Sequence, residues 1–349
     1  MMLKRLAALL LVGMLFVGGA VANDDPEEVI EELEAAANTF ASEFATTLSH
    51  YNSLGLGWSD AYIGQLFSFP PSLGLGVTAG VVTIPLDPIT EPLAELNIDV
   101  DEALADLPGG AILGRLGLPL PGATVDARVG GIGMPFDVGF KIGTIPGQVD
   151  LGDDVDIDYL LVGGDFRYAL LEGGGFLPKL SVGLGVNHSR FNLGIAFDDI
   201  ELGEGEFNDQ EYAIMLLDPT FDTGWRSTAV ELKGQASMGL LIFQPFVGAG
   251  VAYTTSSVQG AFSGELGVGE GTFEDLPPGV EEEDVRDLLE EQLGDLSEPS
   301  VAFDGAHSGF SARVFGGLGL RILVLNLDVG ASIDTEGSVG LELNTRIQF

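Results

Sequence analysis

Hydrophobic and polar residues alternate along most of the chain after Ser72, most clearly in the last nine residues. Leu341, Leu343, Thr345, Ile347 and Phe349 alternate there with Glu342, Asn344, Arg346 and Gln348. Successive side chains of a strand point to opposite faces of its sheet, so this segment has one apolar and one polar face. The same period recurs in about ten segments, longer than the strands of about 5–6 residues usual in soluble domains. The pattern predicts an all-β fold, an antiparallel up-and-down β-barrel of about ten strands (range 8 to 12).

The connections between these segments alternate in length. Short turns are predicted at Pro135, 172–177, 239–242 and near Arg321, and long loops at about 85–122, 146–156, 197–224 and 259–307. This alternation is typical of transmembrane barrels, whose turns are short in the periplasm and whose loops are long outside. With an even number of strands, we expect both ends of the chain on the side of the short turns.

The first 22 residues have the three parts of an export signal. Lys4 and Arg5 precede an apolar run from Leu6 to Val17, and Ala20-Val21-Ala22 forms a small-residue cleavage site. We expect this signal peptide to be removed before Asn23. No later segment approaches the 18 or more apolar residues of a membrane-spanning helix.

A helical period lies between the export signal and the first strand. Asp25 is a suitable N-cap, Pro26 suits the first helical position and Glu28 completes a capping box. Apolar residues then recur at helical spacing as far as Leu48. The predicted organisation is a signal peptide at 1–22, an amphipathic helix and aromatic segment at 23–70, and a barrel at 71–349. The middle part is expected either to plug the barrel or to lie in the periplasm.

Charge and composition narrow the possible partners. The net charge of -39 excludes a nucleic-acid-binding surface, which requires basic side chains. The absence of cysteine excludes disulfides, thiolate metal sites and a cysteine nucleophile. Because the mean hydropathy is nevertheless +0.31, acidic and apolar residues must be separated, and the 259–307 loop carries many of the acids.

The export signal, the recurring strands and the terminal LELNTRIQF together resemble Gram-negative outer-membrane β-barrel proteins. The resemblance implies an outer-membrane location, the lipid bilayer as surroundings, and recognition of the last strand by the barrel-insertion machinery. Phe243 and Tyr253 share an apolar face ten residues apart, about 25 Å along the membrane normal. We predict that Phe243, Tyr253 and Phe349 belong to the membrane-facing aromatic girdle.

Polar residues on the opposite face of the strands are predicted to line the lumen. They carry both signs, so they either neutralise one another in a sealed barrel or determine the selectivity of a pore. The many glycines on that face, such as Gly74, Gly185 and Gly317, leave room for a solute or for part of residues 23–70. The predicted lumen-lining residues are Arg128, Lys141, Asp165, Arg167, Glu231, Lys233, Arg313, Arg321, Asp328, Glu342 and Arg346.

Candidate catalytic and metal-binding residues are few. Nucleotide-binding and hydrolase motifs are absent, and His307, beside Ser308 and near Asp304, is the strongest candidate for a catalytic base. The alternating acids between Asp150 and Asp158 lack the glycine and glutamate of a calcium-binding EF-hand loop. We therefore predict no enzymatic activity, no metal and no cofactor.

For function, the sequence favours a narrow channel or transporter for a small solute. The Leu-, Pro- and Gly-rich 107–122 loop favours an apolar solute. The alternatives are a non-conducting structural or adhesive surface protein with acidic outer loops, and a soluble secreted β-sandwich. The sequence leaves the oligomeric state open.

Overall fold

The computed structural model describes residues 26–68, 71–85, 117–144, 155–174, 177–207, 210–268 and 300–349. The predicted signal peptide, most of the acidic 259–307 loop and most of the 85–122 loop lie outside these residues. Among the described residues, no helix combines the length and the apolar character needed to cross a membrane.

One helix and eleven strands make up the described chain. Their bounds are α1 Pro26–Tyr51, β1 Leu73–Ile84, β2 Leu118–Gly130, β3 Phe136–Thr144, β4 Val155–Leu171, β5 Lys179–Ala196, β6 Ile200–Phe207, β7 Gln210–Ser237, β8 Phe243–Val268, β9 Ser300–Ile322, β10 Leu325–Asp334 and β11 Val339–Gln348. All pairings between them are antiparallel.

Ten of the strands close into a barrel. Neighbours in the chain pair with one another, β11 pairs with β1, and β5 pairs with β7 to complete the ring. Strand β6 pairs with β7 alone and forms a hairpin above the ring. The predicted closed ten-stranded antiparallel barrel is therefore confirmed.

The outside of the barrel is apolar from the short-turn end to about the level of Tyr253 in β8. In β8 the exposed side chains run from Phe243 through Val247 and Val251 to Tyr253, while Gln244 and Thr254 are buried. A polar inside and an apolar outside suit lipid around the wall, the arrangement of an outer-membrane β-barrel protein. The fold thus supports an outer-membrane location with the lipid bilayer as its surroundings.

Towards the long-loop end, the two faces of the long strands exchange character. Beyond Tyr253, β8 exposes Thr255, Ser257 and Gln259, and from position 258 onward its buried residues are the apolar Val258 and Phe262. Strand β7 shows the same exchange, because Trp225 is buried and Arg226 exposed there. This outer part of the wall has the pattern of a soluble protein, with water outside and a hydrophobic core inside.

Several predicted loops are partly strand. The 197–224 region contains β6 and the first half of β7. The 259–307 region contains the last residues of β8 and the first residues of β9. Pro119 and Pro121 belong to β2, on a stretch that pairs with β1 but not with β3. Proline is tolerated there because its missing N–H faces the unpaired side.

Helix α1 ends at Tyr51, one turn later than predicted, and begins at the long-loop end of the barrel. The Asn38 carboxamide accepts a 2.8 Å hydrogen bond from the backbone N–H of Asp304, high on β9. Phe349 lies at the opposite, short-turn end, where its N–H donates to the carbonyl of Leu73. The expectation that both ends of the chain lie on the short-turn side is therefore wrong for the start of the described chain. The buried apolar residues of the helix, such as Phe44 and Leu48, pack against the outer part of the wall, which places the helix at the long-loop end.

Candidate functional site

Residues 37–63, called here the inserted segment, run through the inside of the barrel. Leu48, Trp58 and Asp60 in this segment have no solvent-exposed surface. The segment contacts inward-facing residues from the long-loop end of the wall to the short-turn end. It is therefore the main occupant of the lumen.

Glycines of the wall make space for the inserted segment. A Cβ atom at Gly80 or at Gly122 would lie 2.8 Å from the side chain of Leu54, which is too close for van der Waals contact. A Cβ at Gly319 would lie 2.8 Å from the Cβ of Ser59. These inward-facing glycines widen the lumen locally, where the side chains of ten strands would otherwise largely fill it.

The half of the barrel interior nearer the long-loop end, called here the outer half, is apolar and aromatic. The ring of Phe44 meets Trp225 edge-on with centroids 5.2 Å apart, and Tyr51 meets the same indole at 5.8 Å. On its other side, Trp225 stacks on Phe191 at 4.1 Å. This core, made by helix α1 and the inner face of the wall, consists of Ala41, Phe44, Ala45, Leu48, Tyr51, Leu54, Val82, Ile84, Tyr159, Leu161, Trp225 and Val258.

Neutral hydrogen bonds connect the segment to the wall in the middle of the barrel. The hydroxyls of Ser49 and Ser311 lie 2.6 Å apart, and Thr254 donates to Ser49 at 3.0 Å. The Asn52 carboxamide donates to Ser227 at 2.7 Å. Lys141 of the wall donates to the carbonyl of Asn52 at 2.5 Å and also to that of Leu54, just beyond the end of the helix.

The half of the barrel interior nearer the short-turn end, called here the inner half, contains the carboxylate of Asp60. Its Oδ1 accepts hydrogen bonds from Lys179 at 2.9 Å and from Gln244 at 2.6 Å. Its Oδ2 accepts from Arg346 at 3.3 Å, from Gln348 at 3.2 Å, and from Arg321. Asp60 belongs to the inserted segment and not to a membrane-spanning strand. Burial by itself would raise the pKa of Asp60, but Lys179, Arg321 and Arg346 hold the pKa well below its ordinary value.

A second set of ion pairs in the inner half joins residues of the wall to one another, while Arg167 also donates to the carbonyl of Asp60 at 2.7 Å and Asp137 accepts from the N–H of Ile63 at 3.1 Å. Arg128 bridges Asp137 at 2.5 Å and Asp165 at 2.6 Å, and Arg167 donates to Asp137 at 2.8 Å. Lys233 pairs with Asp165 at 2.8 Å. Higher in the barrel, Arg313 pairs with Glu231 at 2.8 Å. Fully paired buried charges avoid the large cost of an isolated buried ion.

The residues predicted to line the lumen all point into the interior of the barrel. Arg128, Asp165, Arg167, Lys233, Glu231 and Arg313 form the ion pairs of the wall, and Arg321 and Arg346 bind Asp60. Asp328 pairs with Arg346, and a carboxylate oxygen of Glu342 lies 2.5 Å from the position of a Cβ on Gly57 of the segment. Phe243, Tyr253 and Phe349 lie on the exposed apolar surface.

Sequence reasoning missed the residues that belong to the inserted segment itself. Asp60 was part of a predicted aromatic stretch, and its strand partners Lys179, Gln244 and Gln348 lie at the ends of their strands. Trp58 donates to Asp126 at 2.5 Å. The available signal was the short run Trp58-Ser59-Asp60, whose serine and aspartate interrupt an otherwise aromatic and apolar segment.

The structure separates the residues of the proposed histidine site. His307 and Ser308 are adjacent on β9, so their side chains point to opposite faces, and Ser308 donates instead to Thr255. His50, in the inserted segment, has close polar partners on the wall. Its Nε2 lies 2.6 Å from the Ser332 hydroxyl and its Nδ1 lies 3.5 Å from Asp334.

The surroundings of His50 leave little space. A cavity of about 10 Å³ lies beside it, lined in part by Asn187, Glu231 and Arg313. A volume of this size holds about one water molecule. The Asp334 carboxylate is held by the backbone N–H groups of Glu336 and Ser338 through its other oxygen.

The proposed calcium-binding acids are only partly described. Asp150, Asp153 and Asp154 lie outside the described residues, and Asp158 pairs with Arg190 at the surface. Within the described ranges, no group of three or more acidic or histidine side chains is arranged to hold a metal ion.

Comparisons with known proteins give barrels of the same general type. No protein-family model and no curated protein matches this sequence. Among solved structures, the outer membrane protease OmpT from Escherichia coli is 10% identical, with 80% of this chain and 95% of that chain covered and a TM-score of 0.29. The β domain of the Bordetella autotransporter BrkA is 9% identical, with 80% and 99% covered and a TM-score of 0.28. A Pseudomonas aeruginosa FadL homologue is 10% identical, with 84% and 97% covered and a TM-score of 0.26. Similarity at this level does not assign an activity.

Proposed function

We propose that this protein is a gated channel of the outer membrane, closed by the inserted segment, and that displacement of the segment lets a small apolar solute pass. The observation that carries the proposal is the division of polar contacts between the segment and the wall. Arg128, Arg167 and Lys233 pair with carboxylates of the wall, so their charges are compensated without a carboxylate of the segment, and the segment adds only backbone contacts to Arg167 and Asp137. A wall that neutralises these charges by itself can stay folded when the segment moves.

The outer half of the interior supports an apolar solute. Once the helix is displaced, the wall presents Val82, Ile84, Tyr159, Leu161 and Trp225 to the lumen. Such a surface favours apolar molecules and provides no charge along the first part of the path. The 107–122 loop favours the same class of solute, but most of it lies outside the described residues.

The contacts of His50 fit an anchor better than a catalytic base. The 3.5 Å separation between His50 and Asp334 exceeds the length of a hydrogen bond, and the adjoining cavity has no room for an acyl group. We therefore propose that the protein is not an enzyme and that His50 fixes the position of the inserted segment through Ser332.

A disulfide between the segment and the wall tests the gate. The chain has no cysteine, and the hydroxyls of Ser49 and Ser311 already lie 2.6 Å apart. The double variant Ser49→Cys/Ser311→Cys should therefore close a disulfide with little distortion. A cysteine pair at Phe44 and Gly185 is less suitable. Phe44 packs on Trp225, whereas Gly185 pairs with Glu231, six residues further along β7.

Single-channel conductance in planar bilayers gives the measurement. We expect opening events in the reduced double variant, loss of those events on oxidation, and their return with a reductant. The single variant Ser49→Cys is the matched control and should not respond to oxidation. Absence of conductance in the wild type and in both redox states would favour the alternative, a non-conducting structural or adhesive surface protein.

A further inference from the structure

Two cations at the short-turn end of the barrel depend on the inserted segment for their partner. Lys179 and Arg321 both pair with Asp60, and neither forms an ion pair with a strand carboxylate within the described ranges. Arg346 is shared between Asp60 and Asp328 of the wall. Without Asp60, the wall at this level would therefore have an excess of positive charge.

These cations and two carboxamides form what is called here the carboxylate recess: Lys179, Gln244, Arg321, Arg346 and Gln348. Its donors come from β5, β8, β9 and β11 and divide into two sets, one for each oxygen of Asp60. Two oxygens in one plane, each with its own donors, is the geometry of a carboxylate. Charge-assisted hydrogen bonds of this kind are stronger than neutral ones.

We infer that the carboxylate recess is the binding site for the acid group of the transported solute, and that Asp60 occupies it as a built-in competitor. The solute class is then an apolar molecule with one carboxylate. The inference rests on the proposed function, because it assigns the ligand of the same gated lumen. Binding of the solute in the recess removes the anchor of Asp60 and so favours the displaced segment.

The charge of the whole protein makes the recess unusual. A chain with a net charge of -39 repels anions in general, so an anion needs a specific cationic site in order to bind. The recess also reaches water, because the side chains of Lys179 and Arg321 are 28% and 38% exposed. A carboxylate at the short-turn end therefore has access to two of the groups that hold Asp60.

The apolar part of the solute fits the outer half of the lumen. Val82 lies opposite Gly340 of β11, six residues from Arg346, which corresponds to about 20 Å along the strand. The apolar wall and the recess thus follow one another along a single path. A solute with both an apolar and an acidic part has a favourable contact at each stage of this path.

The experiment compares two aspartates that both touch the inserted segment. Asp60→Ala empties the recess, whereas Asp126→Ala removes the hydrogen bond to Trp58 and leaves the recess filled by Asp60. The probes are 4-phenylbutyrate and its neutral analogue 4-phenylbutan-1-ol, titrated into the detergent-solubilised full chain by calorimetry. Circular dichroism checks that each variant is folded, and Asp60→Ser replaces Asp60→Ala if the latter does not fold.

We expect Asp60→Ala to bind 4-phenylbutyrate at least about tenfold more tightly than the wild type, because the internal competitor is gone. The alcohol should bind both proteins equally. Adding Lys179→Gln and Arg321→Gln to Asp60→Ala should abolish the gain. Equal gains in Asp60→Ala and Asp126→Ala, or no gain in either, would overturn the inference.

The disulfide experiment on Ser49 and Ser311 separates this inference from the proposed function. Redox-dependent conductance without a carboxylate gain in Asp60→Ala would overturn the anion site and leave the gated channel. A carboxylate gain in a protein that conducts in no redox state would overturn the channel and leave the anion site.

Discussion

The two halves of the barrel interior hold the same segment by different forces. In the outer half, Phe44, Leu48 and Tyr51 pack against the apolar inner face of the long strands. In the inner half, Trp58 and Asp60 are held by hydrogen bonds and ion pairs. One continuous segment therefore passes from a hydrophobic core into a charged site.

The surroundings of the wall explain the difference. Where the strands are apolar outside, lipid covers them, and the polar face can only point inwards. Beyond Tyr253 the outside of β8 is polar, so the apolar face turns inwards and requires a partner to bury it. Helix α1 supplies that partner. Hydrophobic packing is non-directional, whereas the inner contacts are directional, so the inner half determines the exact position of the segment.

The largest effect is expected at the ion pairs that strand residues of the wall form with one another. Arg128→Met removes the common partner of Asp137 and Asp165, and both carboxylates are buried. We expect a loss of about 3–5 kcal/mol in the free energy of unfolding, because each buried carboxylate loses one of its two cationic partners. Urea unfolding in detergent micelles measures it, and a loss below about 1 kcal/mol, the size of a surface pair, would show that water reaches these groups.

A smaller but still substantial effect is expected in the outer half. Leu48→Ala leaves a void between helix α1 and the wall, at a side chain with no exposed surface. The expected cost is about 2–5 kcal/mol for docking of the segment, measured by hydrogen exchange of helix α1. Glu43→Ala, exposed on the same helix, is the control and should change little. Equal exchange in the two variants would mean that the helix is held by its inner contacts alone.

The smallest effect concerns the boundary between the halves. Ser332→Ala removes the 2.6 Å contact with His50, and we expect the same docking of the segment to weaken by about 1 kcal/mol. Ser308→Ala, on the outer face of β9, is the control. An ester hydrolase activity that Ser332→Ala abolished would instead make His50 a general base, against the anchoring role proposed for it.

Individual residues show which parts of the wall the sequence predicts and which it does not. The alternation from Phe243 to Tyr253 predicted the wall, its antiparallel closure and its apolar exterior, because a period of two is a local property of a strand. Phe262 falls within the predicted 259–307 loop although it belongs to β8, because the period continues there while the two faces exchange polarity. A search for strands with a constant apolar face does not recognise this exchange.

Alternation along the chain is enough to predict the barrel, its number of about ten strands and the polarity of its two faces as far as Tyr253, since these follow from neighbouring residues along each strand. Only the tertiary structure decided that residues 37–63 lie in the lumen and that Asp60 meets Lys179, Arg321 and Arg346. Those contacts join residues more than 100 positions apart. No local pattern records them, because they depend on which strands the closed barrel places around one point.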